Sequence, residues 1–148
     1  MGRFTTNGFV RNPPRLPGLL GLCLRSWHEE RWGDGRTRRP DFTAEALGDR
    51  RETAAILAIE GERARFALEH VGAWAGDLLS PLGEDRSLDS GHPIHGFVDY
   101  VATVGDPVLL LGQVHDPEGR PQPQNLLLLP VASEITRVGW VVVQREVH

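Results

Sequence analysis

His70 ends an alternating stretch. In "RARFALEHVGAWAGDLL" (Arg63 to Leu79), Ala64, Phe66 and Leu68 share one parity and Arg65 and Glu69 the other. His70 is the next residue on the apolar side. An imidazole on the inner side of a strand has three roles open to it. It is a core group bonded to a backbone carbonyl, a polar contact that orients a ligand, or a metal or haem ligand. Burial with an unpaired ring nitrogen costs about 1–3 kcal/mol per group, so such a ring needs partners. His92 and His95 form "HPIH", a spacing that can put two imidazoles on one helix face. Pro93 sets His92 before the helix, however, and His95 projects more than ~100° from the Ile94, Phe97 and Val101 stripe. No second Cys or His pair lies nearby, and no metal site is expected. Cys23 falls on an apolar helical stripe, which favours a buried, inert thiol. Asp85 with Asp89, and Glu60 with Glu62, read as solvated surface. No phosphate loop, nucleophile elbow or HExxH motif occurs, and no catalytic residue is assigned.

The elements that must position these groups follow from periodicity and breakers. Residues 1–17 contain Gly8, Pro13, Pro14 and Pro17 without periodicity and read as a flexible tail. From Gly18 the pattern is helical, with Leu16, Leu20, Cys23 and Trp27 on one stripe. That stripe suits its own core or the partner helix of a dimer. Gly33 and Gly35 end the helix. A connector, Arg36 to Asp49, holds a short helix with Thr43 as its N-cap. Ala54 to Glu60 reads as a strand, Gly61 and Glu62 as a tight turn, and Arg63 to His70 as the returning strand. A short helix is expected over Gly72 to Leu79, stopped by Pro81 and Gly83. Pro93 opens the clearest helix, with Ile94, Phe97, Val98, Val101 and Val104 at helical spacing and Gly105 to Pro107 ending it. Three strands follow: Val108 to His115, Gln124 to Val131, and Arg137 to Val147. "DPEG" (Asp116 to Gly119) makes the first of their turns.

Composition bounds the function. A chain of 148 residues suits one core, and a net charge of −4 argues against general nucleic-acid binding. All sixteen basic residues are arginine, which reads as genomic bias rather than an anion site, since they are scattered. One cysteine excludes an internal disulfide and fits a cytoplasmic setting. No apolar run reaches the ~20 residues needed to cross a bilayer. "LPGLLGLCL" lacks a following cleavage site and reads as no export signal. "MGRFTT" matches the myristoylation pattern by chance.

A hairpin, a helical insert and a three-stranded meander follow the element order of PAS sensor domains. The chain resembles a divergent bacterial PAS family best known from alphaproteobacteria, over roughly residues 20 to 145. The matching residues are Trp27 on an early helix, "RPDF" (Arg39 to Phe42), "HVG" (His70 to Gly72), Tyr100, "GDP" (Gly105 to Pro107) and "LLPV" (Leu128 to Val131). It departs at Glu69 and His70, where the family more often has a basic and an aliphatic residue. It departs again at "ASEIT" (Ala132 to Thr136), where acidic residues and a glycine are usual.

The resemblance implies an α+β fold: a five-stranded antiparallel sheet with helices on one face and an additional N-terminal helix, occupying residues 18–148. It also implies a pocket between sheet and helices. The ligand-binding candidates are His70, Trp74, Leu78, Phe97, Tyr100, Val101, Leu110 and Trp140, with Phe66 and Leu68 as further walls. The parity of "LLLL" (Leu126 to Leu129) is not legible, so none of it is assigned. Some PAS domains hold haem through a histidine on the long helix, which the off-face His95 disfavours. Flavin-binding photosensory PAS domains place their reactive cysteine after the second strand region, where this chain has none. The cofactor is therefore left unknown, with haem and flavin disfavoured.

The function expected is a stand-alone sensory or regulatory domain. It would bind a small apolar or amphipathic ligand and signal through a homodimer or a separate signalling protein, without nucleic acid or membrane. Two alternatives stand beside it: a protein-interaction module with a filled core and no ligand, and a small enzyme using His70 in the pocket.

Overall fold

Gly18 to Glu29 carries leucines three and four apart, and it coils into helix α1. The computed structural model describes residues 4–29, 44–60, 65–72, 79, 87–134 and 137–146. Trp74, Leu78, the "RPDF" segment and the Gly61–Glu62 turn lie outside these residues. After α1 come α2 (Ala44–Leu47), a 3-10 turn (Gly48–Thr53) and α3 (His95–Val104). The strands are β1 (Thr5–Arg11), β2 (Ala54–Glu60), β3 (Arg65–Val71), β4 (Ser87–Leu88), β5 (Val108–His115), β6 (Pro121–Glu134) and β7 (Arg137–Arg145). They form one antiparallel sheet in the order β1-β5-β6-β7-β2-β3-β4.

Three expectations are corrected here. The described sheet has seven strands rather than five, because β4 and β1 extend its two edges. Residues 5–11, read as part of a flexible tail, are a paired strand. Finally, helices cover both faces. On one face α3 sits on a core of Leu57, Phe66, Leu110, Leu126, Leu128 and Val141. On the other, α1 buries Leu20, Cys23, Leu24 and Trp27 against Ile56, Leu127, Leu129 and Val142. The α1 stripe therefore packs on its own sheet. Two-sided burial also explains the unreadable leucine run: Leu126 and Leu128 face α3, Leu127 and Leu129 face α1, and period-2 contrast vanishes.

Proline in "LLPV" is tolerated for a local reason. β6 pairs with β5 only as far as Leu128, opposite Val108. Pro130 lies beyond, paired to β7 alone, so its missing N–H breaks no second ladder. Its carbonyl accepts the indole N–H of Trp27 at 2.8 Å, which fixes α1 on the sheet.

β1 is held at the edge by shape. Phe4, only 3% exposed, lies over Gly112 on β5. A Cβ at Gly112 would stand 2.4 Å from both Phe4 Cζ and the Thr5 carbonyl oxygen. Asn12 then turns the chain at φ 47° and donates its N–H to the Pro107 carbonyl at 2.9 Å. Cys23 is buried under α1, with Arg50 Nη1 3.4 Å from its sulfur. Burial pushes the thiol above its ordinary range, more than Arg50 lowers it.

The β5–β6 turn is organised by Asp116. Its carboxylate accepts the N–H groups of Glu118 and Arg120, each at 2.9 Å, while Gly119 takes φ 82°. The Arg120 N–H is the main reason its carboxyl lies below the usual range. The ionised form is favoured in the fold, so the stability it contributes is present above the ordinary carboxyl range. That contribution disappears as pH falls through the lowered value. In Asp116→Asn, chemical denaturation is expected to show a stability deficit that is constant above about pH 5 and shrinks as pH falls through and below the ordinary carboxyl range. A deficit independent of pH would contradict this assignment. Gly112→Ala is expected to cost about 1–3 kcal/mol by overpacking. Amide exchange should rise over residues 5–11 while β6 and β7 stay protected; unchanged exchange in β1 would refute the Phe4–Gly112 contact as its anchor.

Candidate functional site

α3 packs chiefly on β7 and β6. Its Val98 and Val101 enter the core, and Gly105 closes the helix at φ 83° with its N–H on the Val101 carbonyl. His92 prepares the other end. Its Nδ1 accepts the Ile94 N–H at 3.2 Å, and Nε2 donates to the Leu79 carbonyl. The ring is thus a buried bracket tying the segment after β3 to the start of the helix. The sequence placed the helix start at Pro93; the bracket occupies Pro93 and Ile94, and α3 begins at His95. His95 is half-buried, with its ring 5.4 Å from that of Phe66. The described residues contain no group of three or more His, Cys, Asp or Glu side chains placed to hold a metal ion.

The flank of α3 away from this core overhangs β5 and β1. There Phe9, Arg11, Gly96, Phe97, Tyr100 and Val108 line a cleft of about 360 Å³. Most of its wall is carbon. The Phe9 and Phe97 rings are 5.4 Å apart and tilted. The Arg11 guanidinium lies over the Tyr100 ring, 5.2 Å from its centroid, a cation–π contact. Phe9 remains 53% exposed, a large apolar ring left at the rim. Volume and lining fall within the range of small-molecule sites, which combine apolar walls with few polar groups.

The eight sequence candidates divide. Phe97 and Tyr100 line the cleft. Val101 and Leu110 lie on the same sheet face but are sealed in the core. His70 and Trp140 are on the opposite face. For His70 the cause is a β-bulge: Leu57 pairs with Leu68, but Ile56 pairs with His70. The extra residue flips the parity, so Val71 takes the α3 side and His70 the α1 side. His70 is half-exposed there, and its Nε2 donates to the Arg51 carbonyl at 2.8 Å. Gly72, two residues on, is required by the same close approach. A Cβ there would sit 2.3 Å from the Glu52 oxygen. "HVG" is thus a clamp on the 3-10 turn. Trp140 packs beside the α1 core.

The sequence reading missed Phe9, Arg11, Gly96 and Val108. Phe4, Phe9 and Val10 are the apolar residues of the segment 4–11 that holds β1, and their spacing shows no period-2 alternation.

The geometry defines an α+β sheet domain with helices on both faces and a cleft at one rim. No protein-family model matches the chain, and a search of curated proteins returns no match. Among solved structures it is similar to one described as "Structure of an RNA-binding Light-Oxygen-Voltage Receptor", with 13% identity and a TM-score of 0.48. That likeness covers 96% of this chain and 38% of the other, so this chain spans well under half of that receptor's length. The strand order and packing of this chain, not that overlap, define its fold. No helix among the described residues is long and apolar enough to cross a membrane.

The Tyr100 hydroxyl is buried and has no hydrogen-bond partner among the described residues. An unpaired buried hydroxyl carries a desolvation cost of about 1–3 kcal/mol. Tyr100→Phe is therefore expected to leave stability equal or raise it by about 1 kcal/mol in urea denaturation. A loss of comparable size would mean that the hydroxyl is satisfied after all.

Proposed function

We propose that this chain is a sensory or regulatory domain of PAS-like type that binds a small amphipathic molecule in the rim cleft. The observation that carries this reading is the composition of the cleft: two neighbouring phenylalanines, a glycine on the helix wall and one cation at the edge. One wall belongs to α3, which is rooted in the core. The other belongs to β1, an edge strand. A ligand touching both favours the docked position of β1, and the size of that bias is limited by its differential affinity for the two states. Output then passes by protein contact to a second copy of this chain or to a separate signalling protein.

A second reading is an interaction module without a ligand. It is favoured by the interior under α3, where Phe66, Ile94, Val98, Val101 and Leu110 are all fully buried. A reaction centred on His70 has no geometric support, since His70 and the cleft lie on opposite faces of the sheet.

Gly96 separates the two readings. A Cβ built there meets nothing within 4 Å, and the position lies inside α3. Gly96→Leu fills the cleft and gains helix propensity of up to about 1 kcal/mol, so the unliganded protein is expected to be at least as stable. A compound from a panel of small amphipathic molecules, present at about 100 times its Kd, should stabilise the natural chain by about 2.7 kcal/mol. Thermal unfolding should show that gain lost in Gly96→Leu. A panel without any stabilising compound favours the interaction module. A gain that survives Gly96→Leu places binding elsewhere.

A further inference from the structure

The cleft has a polarity that its carbon walls leave unexplained. Phe9, Phe97 and Val108 suit an apolar body, but Arg11 brings a full charge to the rim. Its contact is with the Tyr100 ring face, and among the described residues it forms no ion pair. Asp99 and Asp106, the acids closest in sequence to the lining residues of α3 and β5, form none with it. A guanidinium lying over a ring keeps its N–H edge unspent. That edge is a planar fork matched to the two oxygens of an anion. The register makes the placement a consequence of the fold. Phe9 pairs with Leu110 and Arg11 with Val108, so both side chains rise on the α3 side of the sheet. An apolar ring and a charge therefore sit two residues apart along one edge.

Resting on the ligand-binding reading above, we infer that the cleft selects an amphipathic anion. Its carbon body lies along Phe9 and Phe97, and its charged head meets the Arg11 guanidinium. A neutral molecule of the same body fills the walls but leaves the cation unpaired. A cationic one is repelled.

The test uses two probes with the same ten-carbon body, decanoate and decan-1-ol, each below its micelle-forming concentration. Affinities for the full chain are read from shifts of the Phe97 and Tyr100 amide resonances. Decanoate is expected to bind about tenfold or more tighter than decan-1-ol. Arg11→Gln should bring decanoate to the level of decan-1-ol without weakening the alcohol, and Arg11→Lys should recover part of the difference. Raising the salt concentration should weaken decanoate alone. Because Arg11 is exposed on an edge strand, both variants are expected to fold, and the alcohol's unchanged affinity verifies it. Equal affinities in the natural chain, or a ratio unmoved by Arg11→Gln, overturn the anion inference and leave the ligand-binding reading standing. Binding of neither probe overturns the anion inference as well, while the ligand-binding reading is overturned only where the wider panel also yields no stabilising compound.

Discussion

Successive residues of a strand point to opposite faces, and in β6 both sets are buried. Leu126 and Leu128 lie under α3, while Leu127, Leu129 and Val131 lie under α1. This double covering governs much of the remaining structure. It removes the polar face that an antiparallel sheet usually turns to water. It also demands a fixed register for α1, which the Trp27 indole supplies by its bond to Pro130. That bond is possible because Pro130 lies on the part of β6 that has no second neighbour. With large apolar residues packed from both sides, the interior has been sealed at Phe66, Val101 and Leu110. Space for another molecule then has to come from the periphery.

The periphery where it appears is set by strand count. α3 is rooted over β6 and β7, near the middle of the sheet. β5 and β1 extend beyond it on one side, so the outer flank of α3 overhangs a strip of sheet. Only Phe9 and Arg11 rise from β1 to meet Phe97 and Tyr100. Without β1 that flank would face open solvent and no cleft would form. The anchoring of β1 by Phe4 over Gly112 is thus the structural condition of the site, although neither residue lines it.

Much of this was legible in the chain and some was not, for identifiable reasons. The strand Val108–His115, the turn at Asp116–Gly119 and the α1 stripe could be read directly, because alternation, breakers and helical spacing act locally. His70 could not be placed, because the bulge between its pairing and that of Leu68 reverses the parity that the sequence displays. The inserted residue, Glu69, continues the apparent alternation after Leu68, so the bulge leaves no periodic signature. β1 was hidden for another reason. It is a single edge strand whose two apolar residues, Phe9 and Val10, are adjacent and so show no alternation, and it is held by the complementarity of Phe4 to a glycine more than a hundred positions away. Two cleft residues, Phe97 and Tyr100, were found because α3 itself was legible. Phe9 and Arg11 were not, because their strand was not.

The position of the cleft also decides what occupancy would mean in the proposed reading. A ligand enclosed in a core touches elements that cannot move without unfolding, so its binding energy changes stability but little else. Here one wall is fixed and the other is the last strand of the sheet, whose outer edge carries no partner among the described residues. Edge strands offer unpaired N–H and C=O groups to other chains. They also belong to the least protected parts of a fold, opening at lower free energy than the strands inside. A molecule that bridges α3 and β1 therefore draws its differential affinity from the element whose exposed edge a partner would read. In that arrangement the shift in population and the change in the interacting surface are the same event.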